Sequence, residues 1–245
     1  MNRDEPLFNV PAAVLAVLAL LVAVHVVRLL LPEDLDNLVV IAGAFIPSRY
    51  DGDAALLPGG YPAAITSFVT HMLIHGNLMH IAFNGLWLLA FGGAIAMRVG
   101  SLRFIAFAVV TGIAAALLFL AFNLGARTPM IGASGAVAGL MGGTMRFLFS
   151  AIDSGGIWRL RETPRSVPLM SLPRTLRDSR VLVATAILIA MNLMAGAGVG
   201  MPGDGGQSIA WEAHIGGYLA GLLLFGLFDV KSPRRPELRV VDTLH

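Results

Sequence analysis

Residues 130–152 read MIGASGAVAGLMGGTMRFLFSAI, an apolar run long enough to cross a hydrocarbon core of ~30 Å, which takes about 20 residues of helix. Its unusual component is glycine. Gly135, Gly139, Gly142 and Gly143 remove side-chain volume along it, the small-residue device by which helices approach each other closely in lipid. Comparable runs lie at Pro11 to Leu31, Leu78 to Met97, Leu102 to Leu124, Val181 to Val199 and Ile209 to Asp229, making six in all by the apolar-run criterion. The composition agrees: 56% of the 245 residues are hydrophobic and 13% charged, with a mean hydropathy of +0.77, far more apolar than a soluble domain tolerates. The expected fold is an all-α, polytopic membrane protein: a six-transmembrane-helix bundle forming one domain over residues 1–230, followed by a short cytoplasmic tail, 231–245, that reads as disordered.

The first run lacks a small-x-small cleavage site and is preceded by Arg3 alone, so it reads as a retained helix and not as a signal peptide. Cysteine is absent, which excludes disulfides, thiol chemistry and thiolate metal ligands. Basic residues other than Lys231 are arginines, and their placement sets the topology, because short cytoplasmic loops carry the Lys/Arg excess. Arg159, Arg161, Arg165, Arg174, Arg177 and Arg180 lie between the fourth and fifth runs, and Lys231, Arg234, Arg235 and Arg239 lie in the tail. The first loop instead holds Glu33, Asp34, Asp36, Asp51 and Asp53 against Arg49. Both termini are therefore expected in the cytoplasm. Arg28, at the outer end of the first run, is expected to snorkel to the interface. The basic fourth loop suits anionic lipid and not nucleic acid.

With this topology the second, fourth and sixth runs start on the same side. Ser134 should lie a turn into the fourth, His214 about a turn into the sixth, and His80 and Asn84 early in the second. At 1.5 Å per residue, all four share one depth. Attack on a peptide carbonyl needs a hydroxyl beside a base that takes its proton, so such a use of Ser134 and His214 requires them within ~3 Å. The glycines, including Gly217 and Gly221 at i+3 and i+7 from His214, permit that approach.

Three strings together carry a resemblance: HMLIHGNLMHIAFN, with His71, His75, His80 and Asn84; GASGAVAG, with Gly132, Ser134 and Gly135; and AHIGGYLAG, with His214, Gly217 and Gly221. In this order, on these runs, the chain resembles the rhomboid family of intramembrane serine proteases, in a bacterial type with a six-helix core. The resemblance implies a Ser/His dyad without an acidic third member. Ser134 would be the nucleophile and His214 the base, with an oxyanion site from His80, Asn84, the Gly132 turn and the Ser134 amide. It implies no cofactor, and as partners the lipid bilayer and the transmembrane segments of other membrane proteins. The multi-pass location expected is a bacterial inner membrane. Two positions depart from the family pattern. Ala138 stands where some members carry an aromatic residue packed on the catalytic imidazole, so something else must hold His214. The Trp-Arg pair that many members carry in the first loop is missing between Pro32 and His71.

His71 and His75 are spaced i, i+4, as zinc ligands can be, but HMLIH lacks the glutamate of HExxH; they more naturally organise the first loop where it enters the second run. Glu212 lies two residues from His214, and residues two apart on a helix do not face each other, so it is not assigned as an orienting carboxylate. A non-catalytic relative that binds and escorts transmembrane helices would not need both Ser134 and His214. A channel or transporter would usually show mid-membrane charges or repeated halves. The glycine-rich segment 196–208 is expected to form a mobile lid above the site, and the first loop, too long for a mere connection, to carry short structure at the outer interface.

Overall fold

The structure is a computed structural model that describes residues 10–198 and 209–229. The expected tail lies outside the described residues, as does most of the expected lid. With no water in the bilayer to satisfy backbone groups, a chain this apolar must close its hydrogen bonds within helices. Among the described residues six helices are long and apolar enough to span a membrane: Ala12–Leu29, Leu78–Val99, Ser101–Asn123, Ser134–Asp153, Ser179–Gly196 and Trp211–Phe228, referred to below as the first to sixth spans. Each coincides with one of the six apolar runs, and the fold is an all-α polytopic bundle.

The first loop does carry short structure. Helices Glu33–Gly43 and Gly60–Thr70 flank the one-turn segments Pro47–Tyr50 and Asp53–Ala55. Glu33, Asp34 and Asp36 fall in the first turn of the former, where the helix dipole favours negative charge. The second span starts at an Asn77 cap, whose side chain accepts from the His80 N–H. It continues through a π-helical turn at Leu88–Gly92.

The fourth span is the axis of the molecule: 72% of its most apolar stretch is buried, against 6% for the fifth span. Its glycines explain how it can be surrounded. A Cβ at Gly217 would run into the carbonyl oxygen of Gly135, one at Gly221 into that of Gly139, and one at Gly142 into that of Tyr218. The fourth and sixth spans therefore meet backbone to backbone. On another side, Gly135 faces Ala115 and Gly139 faces Thr111 of the third span. Aromatic rings fill the remaining space towards the far end, where Phe225 of the sixth span stacks on Phe147 of the fourth and meets Phe107 of the third edge-on.

Buried arginines tie the ends of the bundle. Arg98 pairs with Asp229 through both carboxylate oxygens (2.7 and 2.9 Å) and donates to the carbonyls of Pro164 and Val167. Arg146 donates to the carbonyls of Met170 and Leu222. Arg28 departs from expectation: it does not snorkel but turns inward, buried, donating to both Asp36 oxygens (2.7 and 3.0 Å) and to the His75 carbonyl (2.8 Å). A carboxylate on the next helix removes the reason to reach for water.

A second correction concerns the start of the fourth span. Ser134 is its first residue, not a residue one turn inside it. Met130 is taken up by an antiparallel bridge with Phe45, each N–H donating to the other's carbonyl (3.0 and 2.8 Å). Gly132 then adopts a φ of +112°, which a helix does not accommodate.

The contact between the fourth and sixth spans yields a prediction. Gly217→Ala and Gly221→Ala should each lower the thermal unfolding midpoint in detergent, by an overpacking cost of about 1–3 kcal/mol. Gly93→Ala, where the added carbon meets nothing within 4 Å, should leave the midpoint unchanged or raise it slightly.

Candidate active site

The close approach of the two backbones brings the starts of the fourth and sixth spans together. Ser134 opens one, and His214 stands in the first turn of the other. Their side chains meet: the Ser134 Oγ–H donates to His214 Nε2 across 2.7 Å. Both are half-buried, so the pair lies beneath one end of the bundle without being sealed off.

Because Ser134 is the first helical residue, its own N–H has no intrahelical acceptor. Had the helix begun at Met130, that N–H would have been consumed by the carbonyl four residues back. The Ser134 amide, at the positive end of the helix dipole, is thus a donor free to meet an anion.

His80 lies against this turn. A Cβ on Gly132 would sit 2.5 Å from His80 Nε2, so the imidazole occupies the space that a side chain at 132 would fill. Asn84, buried one turn further along the second span, donates one Nδ2 proton to the His80 carbonyl (3.0 Å). An amide nitrogen has two protons, and the second is uncommitted by this bond. The second, fourth and sixth spans therefore deliver His80, Asn84, Ser134 and His214 to one end of the bundle.

His71 and His75 are buried in the first loop and hold the turn before Ser134. The Gly132 N–H donates to the His71 carbonyl (2.9 Å), and the Ala133 N–H to His75 Nε2 (3.4 Å). The His71 Nδ1–H donates to the Ser67 carbonyl (2.7 Å). Burial pushes both imidazoles down to about 4, with the neighbouring His80 adding to the effect at His75. Glu212 accepts from Asn123 Nδ2 of the third span (3.0 Å). Among the described residues no group of three or more His, Asp or Glu side chains gathers to hold a metal ion.

One member of the site was not found from sequence. Asn192, on the fifth span, accepts from the His214 Nδ1–H through Oδ1 at 2.7 Å. A single asparagine in an apolar run reads as helix glue; the available signal was the alanine at 138, which left the imidazole without a support.

A family model for the Rhomboid domain matches residues 62–229 of the chain. No curated protein matches it.

Two predictions follow from the turn before Ser134. Gly132→Ala, strained at φ +112° and pressed on His80, should displace the imidazole. It should sharply reduce labelling of Ser134 by a fluorophosphonate probe while leaving the six-span fold intact by circular dichroism. The second concerns pH. The unfolded chain protonates His71 and His75 near the ordinary 6.5, whereas the folded chain does so near 4. Stability is therefore full above pH 6.5, declines as pH falls towards 4, and levels off below. Thermal midpoints across that window should fall for the wild type, and less steeply for a His71→Gln, His75→Gln double variant.

Proposed function

The chain belongs to the rhomboid family and is an integral multi-pass membrane protein, and from that premise we propose that it is an intramembrane serine endopeptidase. The family also includes non-catalytic members that bind and escort transmembrane helices. The observation that favours catalysis is the 2.7 Å bond between Ser134 Oγ and His214 Nε2, a nucleophile and base already within reach of proton transfer. An escort protein has no use for it.

In the proposed reaction Ser134 Oγ attacks the scissile carbonyl as His214 Nε2 takes its proton. The carbonyl oxygen becomes an oxyanion, which the Ser134 N–H, the second Asn84 amide proton and His80 stabilise. The Gly132 turn holds the first of these donors in place. His214 then returns the proton to the leaving amine. Water hydrolyses the acyl-enzyme by the same steps in reverse roles. Preorganised donors of this kind are worth ~3 kcal/mol each. No cofactor takes part.

The substrates proposed are transmembrane segments of other membrane proteins with a locally unstable helix and small residues before the cut, met within the lipid bilayer. Nucleic acid is not a partner. The arginine-rich end of the bundle is assigned to the cytoplasm with both termini, the site to the outer half of the membrane, and the membrane to a bacterial inner membrane. The proposed catalytic domain covers residues 1–230.

Cleavage of a labelled single-span substrate in liposomes tests this reading. Ser134→Ala and His214→Ala should each abolish cleavage, and a chelator should not affect it. Asn84→Ala and His80→Ala should lower kcat by about 10²-fold, as loss of one oxyanion donor does. Binding without cleavage by the wild type, over several substrate sequences, would favour the escort reading. Cleavage that survives Ser134→Ala but stops with a chelator would refute the serine mechanism.

A further inference from the structure

Asn192 sits on the fifth span, the helix least enclosed by the rest of the bundle. Among the described residues two of its polar side chains bond to the sixth. Thr185 Oγ1 bonds to Tyr218 Oη (2.8 Å), and Asn192 Oδ1 to His214 Nδ1 (2.7 Å). Thr185 and Asn192 are seven residues apart, two helical turns, and His214 and Tyr218 four apart, so each pair shares a helix face. The two helices meet along a single polar seam that ends at the imidazole.

The bond at His214 has a defined direction. An amide oxygen can only accept, so Nδ1 must carry the proton. In a neutral imidazole the other nitrogen, Nε2, is then bare, which is the form needed to accept the Ser134 proton. The amide cannot simply turn over, because Asn192 Nδ2 donates to the Leu188 carbonyl one turn back (2.9 Å). Flipping would set the NH2 group against the Nδ1 proton and forfeit both bonds. Asn192 is thus locked by its own helix with its acceptor facing His214.

Resting on the protease reading above, we propose that Asn192 is a positioning residue: it fixes the orientation and tautomer of His214, so the site is complete only when the fifth span is seated against the sixth. The orienting group of a buried catalytic histidine is commonly a carboxylate. In the membrane an isolated carboxylate carries a large desolvation cost, and asparagine provides the same acceptor without the charge. It also occupies the role left open by Ala138, which is too small to hold the ring by packing.

The test combines kinetics with a direct view of the ring. In liposomes, Asn192→Ala should lower kcat by about 10- to 100-fold, a part of the ~10²–10⁴ that a positioned general base contributes, with KM within about twofold. Asn192→Asp, which keeps the acceptor, should recover most of kcat and move the acidic limb of the pH–rate profile upwards, because a carboxylate favours the imidazolium. Thr185→Val, which cuts the other link between the same helices, should leave kcat within about threefold, well short of the loss of a positioned base. In detergent micelles, ¹⁵N-histidine spectra, assigned with His214→Gln, should show the Nδ1–H tautomer in the wild type and the Nε2–H tautomer in Asn192→Ala. An unchanged tautomer in Asn192→Ala would overturn the proposal. So would equal losses of kcat in Asn192→Ala, Asn192→Asp and Thr185→Val, which would reduce Asn192 to helix packing. If no variant or wild type cuts substrate, the protease reading fails, and the tautomer spectra still decide whether Asn192 sets His214.

Discussion

The site depends on two backbones touching. A serine and a histidine on separate membrane helices reach 2.7 Å only if the helix axes come closer than ordinary side chains allow. The contact of Gly217 on Gly135 and Gly221 on Gly139 removes every intervening atom. In lipid no hydrophobic effect drives helices together, since the tails are as apolar as the side chains. Dispersion over this long glycine seam supplies attraction directly below the dyad, alongside interhelical hydrogen bonds such as that of Arg146 to the Leu222 carbonyl. The residues that hold the bundle together and those that set the reactive distance are therefore the same. A substitution there acts on stability and on the Ser134–His214 separation at once.

How much of this was legible in the sequence varies with the physical scale of the signal. The spans were readable because crossing a hydrocarbon core demands a length of apolar residues that nothing else in a chain of this size requires. The glycine face was readable because i, i+3, i+7 spacing maps onto a helix surface without further information. The start of the fourth span was misjudged: hydropathy sees Met130 and Ile131 as apolar, but not that Met130 pairs with Phe45 or that Gly132 sits at positive φ. That error of four residues matters chemically, since it decides whether the Ser134 N–H is spent inside the helix. Arg28 was misread for a similar reason, because its partner Asp36 becomes a neighbour only once the chain has turned. Asn192 depended on the register of two helices joined by a loop, which no local pattern encodes.

The first loop has a larger role than a connection. Through the carbonyl of His71 and the ring of His75 it accepts the N–H groups of Gly132 and Ala133, the two residues before the serine. Through the carbonyl of His75 it also receives Arg28 from the first span. The turn that presents Ser134 is thus braced from outside the fourth span, and the brace is anchored to a buried guanidinium. Orphan N–H groups at a buried helix start need partners, and here those partners come from the loop for Gly132 and Ala133, which leaves the Ser134 amide for the oxyanion of the proposed reaction.

At the opposite end the same economy appears with arginine. Arg98 and Arg146 reach across the second, fourth and sixth spans to carbonyls of the basic loop and of Leu222. Each guanidinium bonds several acceptors from separate segments of the chain, and it holds them in a fixed fork. The first, second, third, fourth and sixth spans are in this way clamped by loop, glycine seam and arginine. The fifth span has only Val181 fully buried and touches the site through Asn192. If one helix is to give way to admit a substrate, the packing selects the fifth, and its withdrawal would take with it the acceptor that holds the Nδ1 proton of His214. In the proposed reaction access and competence would then oppose each other, with His214 set as a base only once the helix has returned against the bound chain.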